Sequence, residues 1–218
     1  MRTTDDTYRH KGLRRKLVET VRSKGITDEK VLTALENIPR HFFLDSAFDE
    51  VAYEDKAFPI EAHQTISQPY TVAYQTQLLE IKQHEKILEI GTGSAYQAAV
   101  LAEMGAKVFT IERQKKLFDA NKGFNWIKKY PNIKFFYGDG YEGLPTYAPF
   151  DKVIITAAAP EVPQKLVAQM KTGGMMVIPY GSGDVQVMKR LIKQADGSVK
   201  EEVFDNFSFV PMLQGKND

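Results

Sequence analysis

The sequence contains no cysteine, and this absence excludes several kinds of chemistry. Disulfide frameworks, thiolate zinc sites and cysteine nucleophiles all require the missing thiol. A cysteine-free chain of 218 residues is compatible with a reducing compartment, so we expect a cytoplasmic protein. The four histidines are scattered along the sequence, with no second histidine or carboxylate at ligand spacing. We therefore expect no protein-ligated metal.

Long apolar runs and an excess of one charge are also missing. No stretch approaches the roughly 18 apolar residues of a membrane-spanning helix, and the N-terminus lacks the apolar core of a secretory signal. The 29 Lys and Arg residues nearly balance the 28 Asp and Glu residues, which leaves a formal net charge of +1. This balance gives no general attraction to nucleic acid or to an anionic membrane. We expect a monomer that binds neither.

The second half of the chain has a regular pattern. From Lys86 onward, strands alternate with helices, which predicts a mostly parallel sheet covered on both faces: a three-layer α/β/α sandwich. Two final apolar runs, separated by the turn-like Ala195-Asp196-Gly197, predict a C-terminal antiparallel hairpin. The predicted core strands are KILEIG, KVFTIE, IKFFYG, DKVIIT and GMMVIPYG, and the predicted helices between them cover residues 94–105, 114–129 and 163–170.

The first 69 residues have a different character. An apolar stripe predicts a helix over residues 8–24, ended by Gly25. Thr27 is predicted as the N-cap of a second helix, which Pro39 stops. Residues 40–69 are aromatic, contain prolines and show no clear periodicity. A stretch that irregular is uncommon in a compact domain unless it forms a site.

A glycine loop follows the first core strand. The strand runs into Gly91-Thr92-Gly93 and then into a helix. Ligands of open α/β sheets bind at this end of the strands, and glycines let them approach the backbone. Glu112 ends the next strand, 21 residues after Gly91 (112 − 91). A carboxylate there can accept hydrogen bonds from both ribose hydroxyls of an adenosine ligand.

Details of this loop distinguish two cofactors. A dinucleotide-binding fingerprint needs a third glycine at position 96, where this chain has Tyr96. Glu89 precedes the first glycine by two residues, and the pattern E-x-G-x-G resembles the first motif of class I methyltransferases. Asp139 follows the third strand, at the position that suits the adenine amino group in those enzymes. The pattern favours S-adenosylmethionine, with an NAD-dependent oxidoreductase as the alternative.

A second motif, QTISQP at residues 64–69, resembles the signature of protein-L-isoaspartate (D-aspartate) O-methyltransferases. Arg40, Phe43, GTGSAYQAAVLA, GDG, APFDKVIITAAAP and GGMMVIPYG match in order, from about residue 8 to residue 213. The resemblance implies a class I methyltransferase-like, Rossmann-like fold and a repair enzyme. Such an enzyme transfers a methyl group from S-adenosylmethionine to the α-carboxylate of L-isoaspartyl residues in damaged proteins and peptides, giving S-adenosylhomocysteine. Whether D-aspartyl residues are also acceptors stays open.

The resemblance also implies roles for individual residues. Ser67 occupies the position of the active-site serine, whose hydroxyl can hold one acceptor oxygen without being the nucleophile. Pro59, Ile60 and Gln186 are implied as further substrate contacts. From local sequence alone, a cap of the helix that starts at Pro69 is the favoured role of Ser67, and the resemblance reverses this in favour of an active-site contact. The residues implied in cofactor binding are Thr65, Ile66, Glu89, Gly91, Thr92, Gly93, Ser94, Glu112, Arg113, Asp139, Gly140 and Thr156.

Two departures from the family pattern lie close to the predicted site. Ala95 replaces a glycine of the loop, and we expect it to be helical, with negative φ. His63 replaces the glycine that precedes QTIS, where a bulky side chain could alter access or pH response. A methyltransferase with another acceptor and a non-catalytic binding protein therefore remain alternatives.

We predict a single domain over residues 1–218. Within it, residues 1–80 carry the N-terminal helices and the active-site segment. Residues 81–183 form the cofactor-binding core, and residues 184–218 form the terminal strands.

Overall fold

A seven-stranded sheet runs through the centre of the computed structural model, which describes residues 5–218. The strands are β1 (Phe58–Pro59), β2 (Thr65–Ile66), β3 (Lys86–Ile90), β4 (Lys107–Glu112), β5 (Ile133–Tyr137), β6 (Phe150–Ile155), β7 (Met170–Tyr180), β8 (Gln186–Lys193) and β9 (Val199–Phe207). The sheet order is β5-β4-β3-β6-β7-β8-β9, and β1 pairs separately with β2. The first five strands of this order are parallel, from β5 at the edge through β4, β3 and β6 to β7. Strands β8 and β9 add an antiparallel hairpin. The predicted sheet and hairpin are confirmed.

Helices cover both faces of this sheet. Along β3, Ile87 packs into the core beneath the N-terminal helices, whereas Leu88 packs into a second core that includes Leu166. This alternation buries each parallel strand on both sides and confirms the three-layer fold. No helix within residues 5–218 combines the length and apolar character that crossing a bilayer requires. The helices are α1 (Tyr8–Ser23), α2 (Glu29–Asn37), α3 (Pro69–Leu78), α4 (Tyr96–Glu103), α5 (Lys115–Lys122) and α6 (Gln164–Ala168), with 3₁₀ helices at Arg40–Phe43, Ser46–Phe48, Asn125–Lys129 and Pro145–Tyr147.

The start of α2 differs from the prediction. Asp28, not Thr27, is the N-cap, because its carboxylate accepts the backbone N–H of Lys30 at 2.9 Å. The backbone N–H of Thr27 instead donates to the side-chain oxygen of Gln77 in α3 at 2.8 Å. This hydrogen bond between Thr27 and the distant helix α3 explains why the N-cap of α2 lies one residue later than predicted.

The single helix predicted over residues 114–129 is also wrong. α5 ends at Lys122, Gly123 caps it, and a 3₁₀ helix follows at Asn125–Lys129. The break lets Phe124 and Trp126 each pack at 5.3 Å, centroid to centroid, on the buried ring of Phe43. Aromatic packing against the N-terminal part of the chain outweighs the local helical pattern.

The irregular segment between the 3₁₀ helix at Ser46–Phe48 and α3 is held by two charged residues, Arg40 and Asp55, whose side chains point inward. Arg40 is fully buried, and its guanidinium donates to the carbonyl oxygens of Ala52 at 3.1 Å and Lys56 at 3.2 Å. The carboxylate of Asp55 accepts the backbone N–H of Tyr70 at 2.8 Å, in the first turn of α3. These bonds satisfy backbone groups that no regular element pairs, so they fix the segment that ends at α3.

The β1–β2 hairpin closes with a strained turn. Ala62 and His63 have φ values of +57° and +54°, and the N–H of Gln64 donates to the carbonyl of Glu61 at 3.3 Å. Two consecutive positive φ values define a type I′ turn, which favours Asn and Gly. His63 is exposed there, so nothing in its packing offsets the backbone cost.

We expect His63→Gly to stabilise the fold by about 0.5–1 kcal/mol, because glycine adopts positive φ without a Cβ clash. Thermal unfolding should then shift upward by roughly 2 °C in a chain of this length. Glu161→Gly is the matched control, because Glu161 is an exposed loop residue without positive φ. That control should leave the midpoint unchanged or lower it. A lower midpoint for His63→Gly would show that the turn is not strained.

Candidate functional site

A cleft of about 860 Å³ opens at the carboxyl ends of the central strands. It lies where β3 is flanked by β4 on one side and β6 on the other, the position at which open α/β sheets bind ligands. The glycine loop forms its floor, and the β1–β2 hairpin forms one wall. The predicted cofactor residues that line it are Thr65, Ile66, Gly91, Thr92, Gly93, Ser94, Glu112, Arg113, Gly140 and Thr156.

The glycine loop passes very close to the end of β6. Gly91 has φ of +95°, and a Cβ atom placed on it would lie 2.5 Å from the Thr156 hydroxyl oxygen. That hydroxyl lies within hydrogen-bond distance of the carbonyl oxygens of Ile90 (2.9 Å) and Gly91 (2.8 Å). Glycine is therefore required at position 91 for two reasons, backbone conformation and space.

Ala95 contradicts the expected negative φ. Its φ is +70°, in the left-handed region, and the residue is the N-cap of α4. The loop must reverse direction before the helix begins, and this places position 95 in a conformation that costs alanine about 1–2 kcal/mol. The surrounding core holds the residue there, since its side chain is fully buried.

Glu112 braces the loop from the neighbouring strand. Its two carboxylate oxygens accept the backbone N–H groups of Gly93 and Gln114, each at 2.8 Å. Burial raises the pKa of Glu112, and these hydrogen bonds counteract part of that effect. A carboxylate has about four acceptor positions, so Glu112 keeps capacity for hydroxyl groups in the cleft.

Asp139 lies beside the cleft rather than in its lining. Its oxygens accept the backbone N–H groups of Tyr141 at 2.9 Å and Gly215 at 2.7 Å. Arg113 donates to the carbonyl oxygen of Gly215 at 3.0 Å. These bonds tie residues 211–217, which include cleft-lining Met212, across the ends of β4 and β5. Sequence patterns did not reveal that residues 211–217 form a wall of the cleft, because the contacts that hold them join residues about 76–102 positions apart.

Glu89 lies beneath the loop and does not reach the cleft. Its side chain is fully buried, and neither carboxylate oxygen makes a hydrogen bond of normal geometry among residues 5–218; the Thr110 hydroxyl near it lies 2.6 Å from the Thr92 hydroxyl. Burial raises the pKa of Glu89 to about 8; repulsion from Glu112 adds to the shift, and the Thr110 hydroxyl counteracts it in part. The group therefore carries a proton at neutral pH.

A second cleft adjoins the first. Its lining includes Lys24, Tyr70, Val185 and Phe207, and it shares Thr65, Ser67, Thr156 and Val210 with the first cleft. The shared residues form a common wall between the two spaces. The two clefts therefore adjoin along these four residues.

Ser67 is part of this common wall and does not cap α3. The N-cap is Gln68, whose side chain makes no capping hydrogen bond. The carboxylate of Asp55 accepts the backbone N–H of Tyr70 in its place. Within the described chain, the Ser67 hydroxyl has no hydrogen-bond partner. It is available to bind a ligand, which a capping serine would not be.

The other predicted substrate residues lie farther from the clefts. Pro59 pairs with Thr65 in the hairpin, and the Ile60 side chain reaches to 3.7 Å from the point where a Cβ of Gly93 would lie. Gln186 is 1% exposed and does not reach either cleft. Its side chain accepts the N–H of Phe209 at 2.8 Å and donates to Gly183 at 2.6 Å, because the chain leaving β9 needs those partners.

One titratable cluster lies outside the clefts. Ligand-type atoms of Asp6, His10 and His41 lie within 4.8 Å of one another. Arg14 occupies both oxygens of Asp6 at 3.0 Å, and the two imidazole rings stack at 3.9 Å. Stacked rings cannot both direct in-plane lone pairs at one ion, so this cluster is an internal polar network of the N-terminal region.

The chain matches the protein-L-isoaspartate(D-aspartate) O-methyltransferase family over residues 12–217. A protein-L-isoaspartate O-methyltransferase of Christiangramia forsetii is 57% identical over 212 residues, 97% of this chain and 99% of that relative. A solved protein-L-isoaspartate O-methyltransferase, 27% identical, superposes with a TM-score of 0.82 over 91% of this chain, which spans 65% of that protein's length. A Plasmodium falciparum protein solved in complex with S-adenosyl-L-homocysteine shares the fold, with a TM-score of 0.79, 23% identity and coverage of 92% and 98%. With the fold, the glycine loop and nearly the whole sequence in agreement, the chain belongs to the protein-L-isoaspartate(D-aspartate) O-methyltransferase family.

Proposed function

We propose that the two clefts carry out the reaction of this family with the residues that line them. A methyl group passes from S-adenosylmethionine in the first cleft to the α-carboxylate of an L-isoaspartyl residue in the second. The observation that supports this division is the common wall of Thr65, Ser67, Thr156 and Val210. A group-transfer reaction needs two adjoining sites that meet where the reacting atoms meet.

The first cleft fits the cofactor. Its lining combines bare backbone of the glycine loop with apolar side chains such as Ile111 and Met212 and the single carboxylate of Glu112, the mixture typical of small-molecule sites. The backbone from Gly91 to Gly93 would hold the amino-acid end, and Glu112 would accept hydrogen bonds from the ribose hydroxyls. Gly140 lines the cleft, and Asp139, which lies beside the cleft next to it, would be the partner of the adenine amino group. When bound, the cofactor supplies an electrophilic methyl group on a sulfonium and leaves as S-adenosylhomocysteine.

The protein's part in the chemical step is alignment. A free carboxylate is ionised at neutral pH, so the acceptor needs no general base. The Ser67 hydroxyl would donate a hydrogen bond to one carboxylate oxygen and leave the other oxygen free to accept the methyl group that the cofactor would supply. Holding both groups in place and excluding water at the common wall lowers the barrier.

Other predicted substrate residues act through their neighbours. Gln186 positions Phe209, a residue of the second cleft, by accepting its backbone N–H. Ile60 packs over the glycine loop, and Pro59 holds Thr65 in register. These three are positioning residues in our proposal.

We also propose that the protein acts as a monomer in the cytoplasm on isoaspartyl-containing proteins and peptides. Large hydrophobic side chains that are highly exposed within residues 5–218 are Tyr8, Val185, Val203 and Leu213. Val185 and Leu213 line the clefts, and the other two lie on α1 and β9. They form no shared apolar surface of the kind that stable association uses.

The substrate assignment is tested with two peptides of identical sequence, one containing isoaspartate and the other normal aspartate. With labelled S-adenosylmethionine, we expect methyl ester only on the isoaspartyl peptide, and a D-aspartyl peptide shows how far the acceptor range extends. Equal labelling of both peptides would point to another carboxylate acceptor. Absence of labelling, with the cofactor still bound, would favour a binding protein.

Ser67→Ala should lower kcat by roughly tenfold or more, because one hydrogen bond to a charged oxygen contributes about 1.5–3 kcal/mol. The dissociation constant for S-adenosylhomocysteine should stay within about twofold of the wild-type value. Ser23→Ala, at an exposed serine near the end of α1, is the control and should change neither quantity. Loss of cofactor affinity in Ser67→Ala would make this serine a structural residue.

Glu112→Ala should weaken cofactor binding, because it removes the ribose acceptor and releases Gly93 from its brace. Loss of one or two charged hydrogen bonds predicts a dissociation constant raised roughly 10- to 100-fold, measured by calorimetry. Glu142→Ala is the control, because Glu142 is exposed and pairs with Lys165. Wild-type affinity in Glu112→Ala would refute the ribose role.

A further inference from the structure

Glu89 is a buried ionisable group that the methyl-transfer step does not use. Along β3 it is paired with Thr110 of β4 and Ile154 of β6, and its side chain is fully buried. Neither oxygen has a hydrogen-bond partner within the described chain. A carboxylate in that position would be an uncompensated buried charge, so the group is held as the neutral acid.

The elements around Glu89 provide no cation to balance it. β4 contributes Glu112, which is a like charge, and β6 contributes Ile154 at the paired position. The helices that pack on the face of Ile87, two residues away, are α3 and α4. At their near ends they contribute buried polar side chains such as Gln75 and Gln97, and the titratable Tyr96, whose pKa burial raises.

The loop that closes over Glu89 is the floor of the cofactor cleft. Glu89 directly precedes Ile90 and Gly91, which both line the cleft. S-adenosylmethionine carries a carboxylate, an ammonium and a sulfonium, hence a net charge of +1. S-adenosylhomocysteine has lost the sulfonium charge and is neutral overall. The two forms of the cofactor, before and after methyl transfer, therefore differ by one positive charge. That charge would lie on the far side of the loop from the neutral acid Glu89.

We propose that Glu89 senses this charge: it holds a proton in the free enzyme and releases it when the cationic cofactor occupies the loop. The O–H bond of the acid breaks, the proton passes to the buffer, and the cofactor's positive charge stabilises the remaining carboxylate electrostatically across the loop, without direct contact. The neutral product leaves Glu89 protonated. This inference rests on the proposed cofactor site and makes Glu89 a residue that discriminates sulfonium from thioether.

The direction of the pH dependence follows from linkage. A ligand whose binding releases a proton binds more tightly as the pH rises, and the reciprocal holds for the proton. Affinity for S-adenosylmethionine, relative to S-adenosylhomocysteine, should therefore rise with pH up to the pKa of about 8 of the free enzyme and level off above it. Product would be displaced by fresh cofactor more readily at the alkaline end of this range.

Calorimetric titrations at pH 7, in buffers of different ionisation enthalpy, measure protons released per ligand bound. We expect S-adenosylmethionine to release about 0.5–1 more proton with wild type than with Glu89→Gln, and S-adenosylhomocysteine to show almost no difference between the two proteins. Comparing proteins cancels titration of the ligand's own amino group. Glu142→Gln, at an exposed glutamate away from the loop, should behave as wild type.

The ratio of the two dissociation constants supplies an independent readout. Between pH 6 and pH 8 it should change roughly 7- to 50-fold in favour of S-adenosylmethionine for wild type, and stay constant for Glu89→Gln. Identical proton release by wild type and Glu89→Gln, or equal linkage for both ligands, would overturn the proposal. If S-adenosylmethionine fails to bind wild type at all, the proposed function fails instead.

An infrared difference spectrum of the wild-type protein tests the proposal without any substitution, so its result does not depend on whether a variant folds. Addition of S-adenosylmethionine should remove the carbonyl stretch of a protonated carboxylic acid, and S-adenosylhomocysteine should leave it in place. Persistence of that band with both ligands would also overturn the proposal. Glu89→Met, which removes the buried polar group, provides a second folded variant for the same titrations.

Discussion

The close approach between Gly91 and Thr156 constrains the rest of the site. A turn that passes within contact distance of β6 leaves no room for a side chain, so the loop presents bare backbone to the cleft. Once the loop runs there, Gly93 points its N–H at Glu112, and Glu112 becomes fixed by two backbone donors. The carboxylate that we propose as the ribose acceptor is thus positioned before any ligand arrives, which reduces the ordering cost of binding.

The acceptor side depends on a different kind of support. The segment before α3 has no regular structure, and buried charged groups hold it in place of strand or helix bonds. Arg40 reaches the carbonyls of Ala52 and Lys56, and Asp55 caps α3. Burial lowers the pKa of Arg40 to about 10, so it remains charged at neutral pH. Keeping a guanidinium in the core is costly, and the structure gains a fixed wall at Ser67.

The sequence predicted the parallel sheet, the hairpin and most of the cofactor cleft, because strand periodicity and the glycine loop are local signals. The errors came from contacts between distant residues. Phe43 broke the predicted helix after Gly123, and the reversal before α4 forced Ala95 to positive φ. Gln186 matched a family position, but its side-chain oxygen already accepts a hydrogen bond from the backbone N–H of Phe209. Neither spacing nor composition reveals which partner a buried polar side chain will find.

The outer edge of the sheet has a consequence for an enzyme whose acceptors are damaged chains. β9 is the last strand of the sheet order, so its outer backbone groups have no neighbouring strand among residues 5–218. Such an edge is a template for other extended chains, including aggregating ones. β9 carries Lys200, Glu201, Glu202 and Asp205 within nine residues. These charges make the edge a poor template, so that unfolded protein reaches the enzyme as a substrate in its clefts without being recruited as a further strand.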